Sequence, residues 1–229
     1  MSLLLAAAVA LQPAAAPSPR SGWEQRPSSL LLRSADGELV DEIGLGEFRE
    51  PDADGTILRK SLRGGASADG RFAWRWQKEE RVRPGREDRV LKSSVSLAYL
   101  GSTGKTLWTS DSADASGALA PLLQSADGET VLLAARTRSG WRVSALDFAG
   151  TALASLEAGQ RVEALHLSAN GRYALALWGL RDQPLTYTLL DLREKARKDI
   201  PAADLPLGLS RIEEDGRALS GGKRVFAFP

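Results

Sequence analysis

A four-residue unit recurs along this chain and limits its fold more than any other feature: Ser67-Ala68-Asp69-Gly70, Ser125-Ala126-Asp127-Gly128 and Ser168-Ala169-Asn170-Gly171. Each copy lies between two apolar runs. Glycine tolerates positive φ, and Asp or Asn before it can enter the left-handed region while bonding the local backbone. The pair therefore specifies a reversal between two antiparallel strands. Asp69, Gly70, Asp127, Gly128, Asn170 and Gly171 are read as structural turn residues on that ground.

The spacing of the units adds an architecture. Asp127 and Asn170 are 43 residues apart, and Asn170 and Asp215 are 45 apart if Asp215-Gly216-Arg217 is a fourth, degenerate copy. A period of roughly 40–45 residues with four short strands is that of a propeller blade; helical repeats of this length would carry a 3.6-residue pattern and few Asp-Gly turns. The gap from Asp69 to Asp127 is 58, and a charged excursion from Gln77 to Lys92 accounts for the excess as a long solvated hairpin. Between turns both strand faces are apolar, as in Ala174-Leu175-Ala176-Leu177-Trp178, which suits sheets packed on both sides. The stretch 44–64, with its Thr56-Ile57-Leu58 run, reads either as a strand or as a packed crossover.

Composition narrows the class. Lys and Arg number 30 against 29 for Asp and Glu, a net charge of +1, so no global field draws the chain to nucleic acid. The chain has no cysteine, which excludes disulfides, thiolate metal sites and a cysteine nucleophile. At the amino terminus Leu3 to Leu11 is apolar and Ala14-Ala15-Ala16 offers a small-x-small cleavage pattern, so residues 1–16 are read as an export signal, with a disordered Ala/Pro-rich leader as the alternative. The apolar run is about half the roughly 20 residues of a spanning helix, so no stable anchor is expected after cleavage. Residues 17–28, with Pro17, Pro19, Gly22 and Pro27, read as a linker, and 29–229 as one all-β domain. The expected location is periplasmic or secreted.

Two family resemblances follow from quoted residues. The Ser-Ala-Asp/Asn-Gly-Arg units resemble those joining the first and second strands of blades in WD40-like and related bacterial β-propellers. Ala98-Tyr99-Leu100-Gly101-Ser102-Thr103-Gly104-Lys105-Thr106-Leu107-Trp108 resembles the tryptophan-docking motif of PQQ-type propellers at Ala98, Thr103, Gly104, Lys105 and Trp108, with Leu100 where that motif has Asp. The resemblance implies that Trp108 packs between adjacent blades, and it implies no quinone. The expected fold is all-β and propeller-like, with about four four-stranded antiparallel blades. First hairpins lie near Asp69, Asp127, Asn170 and Asp215, and second hairpins near Gly37, Gly104, Gly150 and Arg193. Strands around Leu30–Ile43 would complete a last blade begun by Leu205–Phe228, closing the ring; an open or partial propeller is the alternative.

No set of catalytic residues assembles in the sequence. Gly101 to Thr106 imitates a phosphate loop, but the position needing its first glycine is Tyr99 and a strand follows in place of a helix. His166 is the only histidine and sits in a strand, where Ser168 shares its face without a nucleophile elbow. Asp41 with Glu42 and Glu213 with Glu214 are adjacent, which in a strand points them to opposite faces. Trp141 is a candidate sugar platform. The long charged hairpin is the preferred partner-binding element, with Trp76 at its base and Arg81, Arg83 and Arg86 along it, since long loops on rigid scaffolds often carry binding. The expected function is that of a non-catalytic exported scaffold binding an envelope protein, without cofactor or metal. The alternatives are a propeller hydrolase or lyase with carboxylates at a central channel, and a saccharide-binding module.

Overall fold

The computed structural model describes residues 21–112, 122–180, 183–204, 208–209, 211–220 and 223–228. The segment read as an export signal lies outside the described residues. Five antiparallel sheets follow one another along the chain. The first holds β1 (Gly22–Gln25), β2 (Ser29–Arg33) and β3 (Leu39–Gly44), and the second holds β4 (Gly46–Pro51), β5 (Ile57–Ala66), β6 (Ala73–Arg83), β7 (Arg89–Leu100) and β8 (Thr106–Ser112). The third holds β9 (Leu123–Gln124), β10 (Thr130–Arg136), β11 (Trp141–Asp147) and β12 (Ala152–Ala158). The fourth is built from β13 (Arg161–Leu167), β14 (Tyr173–Leu180), β15 (Gln183–Asp191) and β16 (Ala196–Pro201), and the fifth from β17 (Arg211–Ile212), β18 (Arg217–Ser220) and β19 (Lys223–Ala227).

The repeated unit makes the same turn each time. The Ser hydroxyl donates to the Asp or Asn side chain two residues on, at 2.6 Å in Ser67–Asp69 and Ser125–Asp127 and 2.7 Å in Ser168–Asn170. That same hydroxyl accepts the N–H five residues on, from Phe72, Thr130 and Tyr173. The Asp or Asn oxygen accepts the N–H of Arg71, Glu129 or Arg172, and the glycine stands at a φ of 71–75°. Each side chain thus satisfies a backbone group that the reversal would leave unpaired. Asp215 repeats part of this by accepting from Arg217 N–H, although Glu213 replaces the serine.

These turns also join the sheets. Trp23 N–H donates to Gly70 O, Ala68 N–H to Ala126 O and Ala126 N–H to Ala169 O, each at 2.8 Å, and the Asn170 amide donates to Glu214 O at 2.9 Å. One line of hydrogen bonds therefore runs from β1 of the first sheet through the first turns of the other four. Apolar clusters fill the spaces between. Trp23, Leu30 and Leu32 meet Ala73, Ala98 and Leu100 between the first two sheets. Leu97 and Tyr99 meet Val131 and Leu133 between the second and third. Leu132 and Val143 meet Leu165, Ala176 and Trp178 between the third and fourth. Leu175, Tyr187 and Leu189 meet Ile212, Ala218 and Phe228 between the fourth and fifth.

Two expectations change. Gly22–Gln25, read as linker, is a strand paired residue for residue with Leu30–Arg33, through a turn in which Arg26 N–H donates to Ser29 O. Its Trp23 is 4% exposed and its indole N–H donates to Gly101 O at 2.8 Å, so burial of one large aromatic draws this Pro-flanked segment into the sheet. The strands around Leu30–Ile43 consequently belong to their own sheet. Among the described residues they do not pair with β17, β18 or β19, so these residues form no shared closing blade, and the described sheets number five.

Candidate functional site

The second sheet departs from the others. β5, β6 and β7 are 10, 11 and 12 residues long, against at most 9 for any strand of the other four sheets. Register divides it in two. Arg63–Ala66, Ala73–Trp76 and Leu97–Leu100 pair beside β8 and carry the packing against the neighbouring sheets. Beyond them, β4, Ile57–Leu62, Gln77–Arg83 and Arg89–Ser96 form a four-stranded extension with no counterpart elsewhere among the described residues. The uncertain stretch 44–64 thus supplies half of this extension, as a hairpin closed by Asp52 N–H to Thr56 O. Long, continuously paired strands explain how so charged a segment is ordered: the ladder satisfies its backbone, and the charges alternate across it. Arg59 bridges to Asp88, Arg81 to Asp52 at 2.5 Å, Lys78 to Glu80 at 2.6 Å and Lys60 to Glu50 at 3.3 Å.

Strand alternation places the predicted binding residues. Trp76 shares a face with Lys78, Glu80 and Val82, whereas Arg81 and Arg83 point to the other side of β6 with Gln77 and Glu79. Trp76 is half-buried in the cluster against the third sheet, with the Arg63 guanidinium 5.3 Å over its ring. Among the described residues its buried indole N–H has no hydrogen-bond partner. Trp76 and the arginines therefore do not form one surface: the tryptophan belongs to the base, and the arginines to the outer part. On the arginine side Leu58, Glu79, Arg81, Lys92 and Ser94 line a depression of about 300 Å3. A bulge between Arg81 and Val82 leaves Leu91 without a cross-strand partner, and Val90 and Leu91 are 46% and 42% exposed at the end where Arg83 and Arg86 stand. Sequence reading missed Val90 and Leu91 because they lie within a charged run and follow no alternation.

The other candidates resolve into packing. Trp108 stacks on Tyr99 at 5.2 Å and lies against the Gly150 turn of the next sheet. Trp141 is partly buried against the cluster of the third and fourth sheets. His166, on β13, is half-buried, and burial lowers its pKa. The Ser168 hydroxyl is committed to its turn through Asn170 and Tyr173. Among carboxylates, Asp191 is buried: burial pushes its pKa up, but the Arg172 guanidinium and the N–H groups of Glu194 and Arg193 outweigh this and hold it low. Asp199 likewise is raised by burial and lowered further by Thr188 and Arg197. The resolved carboxylate shifts are thus all downward. Among the described residues no group of three potential metal ligands is found, and no helix is long and apolar enough to cross a membrane.

No family model and no curated protein matches the chain. Solved structures do. The β-propeller domain of Swd1 from Myceliophteria thermophila aligns at 12% identity and a TM-score of 0.41, over 83% of this chain and 71% of that one. Sqt1 from Chaetomium thermophilum aligns at 15% identity and a TM-score of 0.42, over 82% of this chain and 57% of that one. An oligogalacturonate lyase in complex with manganese aligns at 8% identity and a TM-score of 0.36, over 82% of this chain and 66% of that one. Successive antiparallel sheets, a shared first turn that bonds to the next, and a tryptophan docked on the following blade make this chain an all-β, propeller-like repeat protein.

Proposed function

We propose that the chain is a non-catalytic, exported scaffold that binds another protein of the bacterial envelope through the outer part of the second sheet. The observation that carries this reading is the four-stranded extension itself, whose outer end carries exposed Arg83 and Arg86 together with exposed Leu91 at the bulge and exposed Val90 on the opposite face, cross-strand to Val82. Exposed apolar side chains and arginines carried together at the end of a rigid support are the composition of a protein-docking surface. Export and an envelope location rest on the apolar run Leu3 to Leu11 and the small residues Ala14 to Ala16.

The test is a crosslinked pull-down from an envelope extract of the source organism, with residues 17–229 as bait. One enriched protein should be recovered, and it should be lost when Arg81, Arg83 and Arg86 are replaced by Ser. These arginines lie on an exposed ladder or its turn, so the variant should unfold within about 0.5 kcal/mol of wild type. Recovery that is indifferent to the triple replacement would overturn the site, and recovery of no protein above background would overturn the scaffold reading.

A further inference from the structure

The edge strand β4 carries a feature separate from the arginine patch. All six residues from Gly46 to Pro51 are exposed, and among the described residues β4 pairs only with β5. A free strand edge is normally shielded, because its unpaired N–H and C=O groups template pairing with another chain. Here the geometry points to one occupant: a second copy of β4, antiparallel, with the two-fold axis passing beside Phe48.

The direction of each backbone group follows from the hairpin. Asp52 N–H points inward, to Thr56 O, and the period of two along a strand then turns Glu50, Phe48 and Gly46 inward and Glu47 and Arg49 outward. With Phe48 opposite Phe48 of the second copy, Glu47 of each copy faces Arg49 of the other as a hydrogen-bonded pair. Two such pairs give four main-chain hydrogen bonds. The ladder ends where the chain makes it end: Pro51 has no N–H, and Leu45 N–H is already given to Ser28 O.

Side chains agree with the same register. Phe48, 42% exposed, would meet its equivalent in a non-hydrogen-bonded pair, the closer of the two antiparallel spacings. Among the described residues neither Glu47 nor Arg49 has an ion-pair partner, and Arg49 lies directly opposite Arg59 within its own sheet. A second copy brings a glutamate beside each such arginine. The contact is isologous and closes at two copies, since β4 is used up on both sides. It is independent of the envelope partner and of the arginine patch.

Sedimentation velocity on the full chain tests it. Wild type should show a concentration-dependent dimer, and Glu47→Lys or Arg49→Glu alone should weaken it at least about tenfold, because each places like charges across the axis. An equimolar mixture of the two variants should associate again, since the lysine introduced in one then faces the glutamate introduced in the other, and the double exchange should restore self-association. A wild type that stays monomeric, single variants that dimerise as wild type does, or a mixture that stays monomeric overturns the pairing. A second readout uses the absence of cysteine. Phe48→Cys should crosslink to its own copy on oxidation, the pair sitting about 4.5 Å apart between Cα atoms. Glu50→Cys, about 13 Å from its equivalent, should not. Equal crosslinking of the two would also overturn the register.

Discussion

The indole of Trp108, on β8, lies against the turn glycine Gly150 of the next sheet, so closely that a Cβ on Gly150 would stand 2.9 Å from its Cγ and Cδ1. The turn is fixed from its own side: Gly150 N–H donates to Asp147 O, and the Asp147 carboxylate accepts the N–H groups of Ala149 and Thr151. Tyr99 backs the indole from β7, and the Tyr99 hydroxyl reaches Gly128 O in the first turn of the third sheet. One blade is thereby held to both turns of the next.

Gly150→Ala measures that contact. The substitution adds left-handed strain, at a φ of 85°, and a methyl group driven into the indole. Gly55→Ala provides the comparison, since Gly55 has a φ of 78° with nothing within 4 Å of the added carbon. Strain alone should cost Gly55→Ala about 1–2 kcal/mol, and Gly150→Ala should cost at least about 1 kcal/mol more. Urea unfolding of both variants gives the difference. Equal losses would mean that the indole moves aside without cost.

Tyr99 should mark the alkaline limit of stability. It is fully buried, and burial pushes its phenol well above the ordinary value of 10.0. The unfolded chain then loses this proton while the folded chain keeps it, so the contribution is intact below pH 10 and declines as pH rises above it. Tyr99→Phe removes the hydroxyl's bond to Gly128 O and the one it accepts from Gln124, at a cost of about 1–3 kcal/mol at neutral pH. Unfolding curves from pH 8.5 to 11 should fall less steeply in the variant than in wild type. Parallel curves would show that Tyr99 is not the group responsible.

The turns were legible because their chemistry is local: Ser, Asp or Asn, and Gly within four residues carry the whole device, down to the serine hydroxyl that accepts the N–H of Tyr173. Trp108 was legible for a similar reason, through a motif that spans one hairpin. What escaped depends on partners distant in sequence. Gly22–Gln25 is anchored as a strand by Trp23, which reaches Gly70 and Gly101, 47 and 78 residues on. The hairpin of β4 and β5 has no apolar alternation, since its order comes from pairing with β6 and β7. The separation of Trp76 from Arg81 follows from an unbroken β6 whose alternation sends them to opposite faces, which the reading of a solvated charged hairpin did not apply to its side chains.

Arg172 and Asp191 form another long-range bond that sequence spacing concealed, 19 residues apart and joined by three hydrogen bonds of 2.7–3.1 Å. The Asp191 side chain is 2% exposed and also accepts the N–H groups of Arg193 and Glu194, so it ties the second turn of the fourth sheet to the residue after its first. Burial raises its pKa, and Arg172 with the two N–H groups more than reverses that, leaving it below the ordinary 3.8. A carboxylate depressed in the folded state contributes stability that is complete above its unfolded pKa and is lost as pH falls through the folded one. Asp191→Asn keeps the shape but leaves Arg172 without its charge partner, and should cost about 2–4 kcal/mol near pH 7. The cost should shrink below pH 4, where wild type gives up the same interaction, so acid titration of the two proteins should converge. A variant deficit that stays constant from pH 7 to pH 2.5 would assign Asp191 a packing role with no electrostatic share.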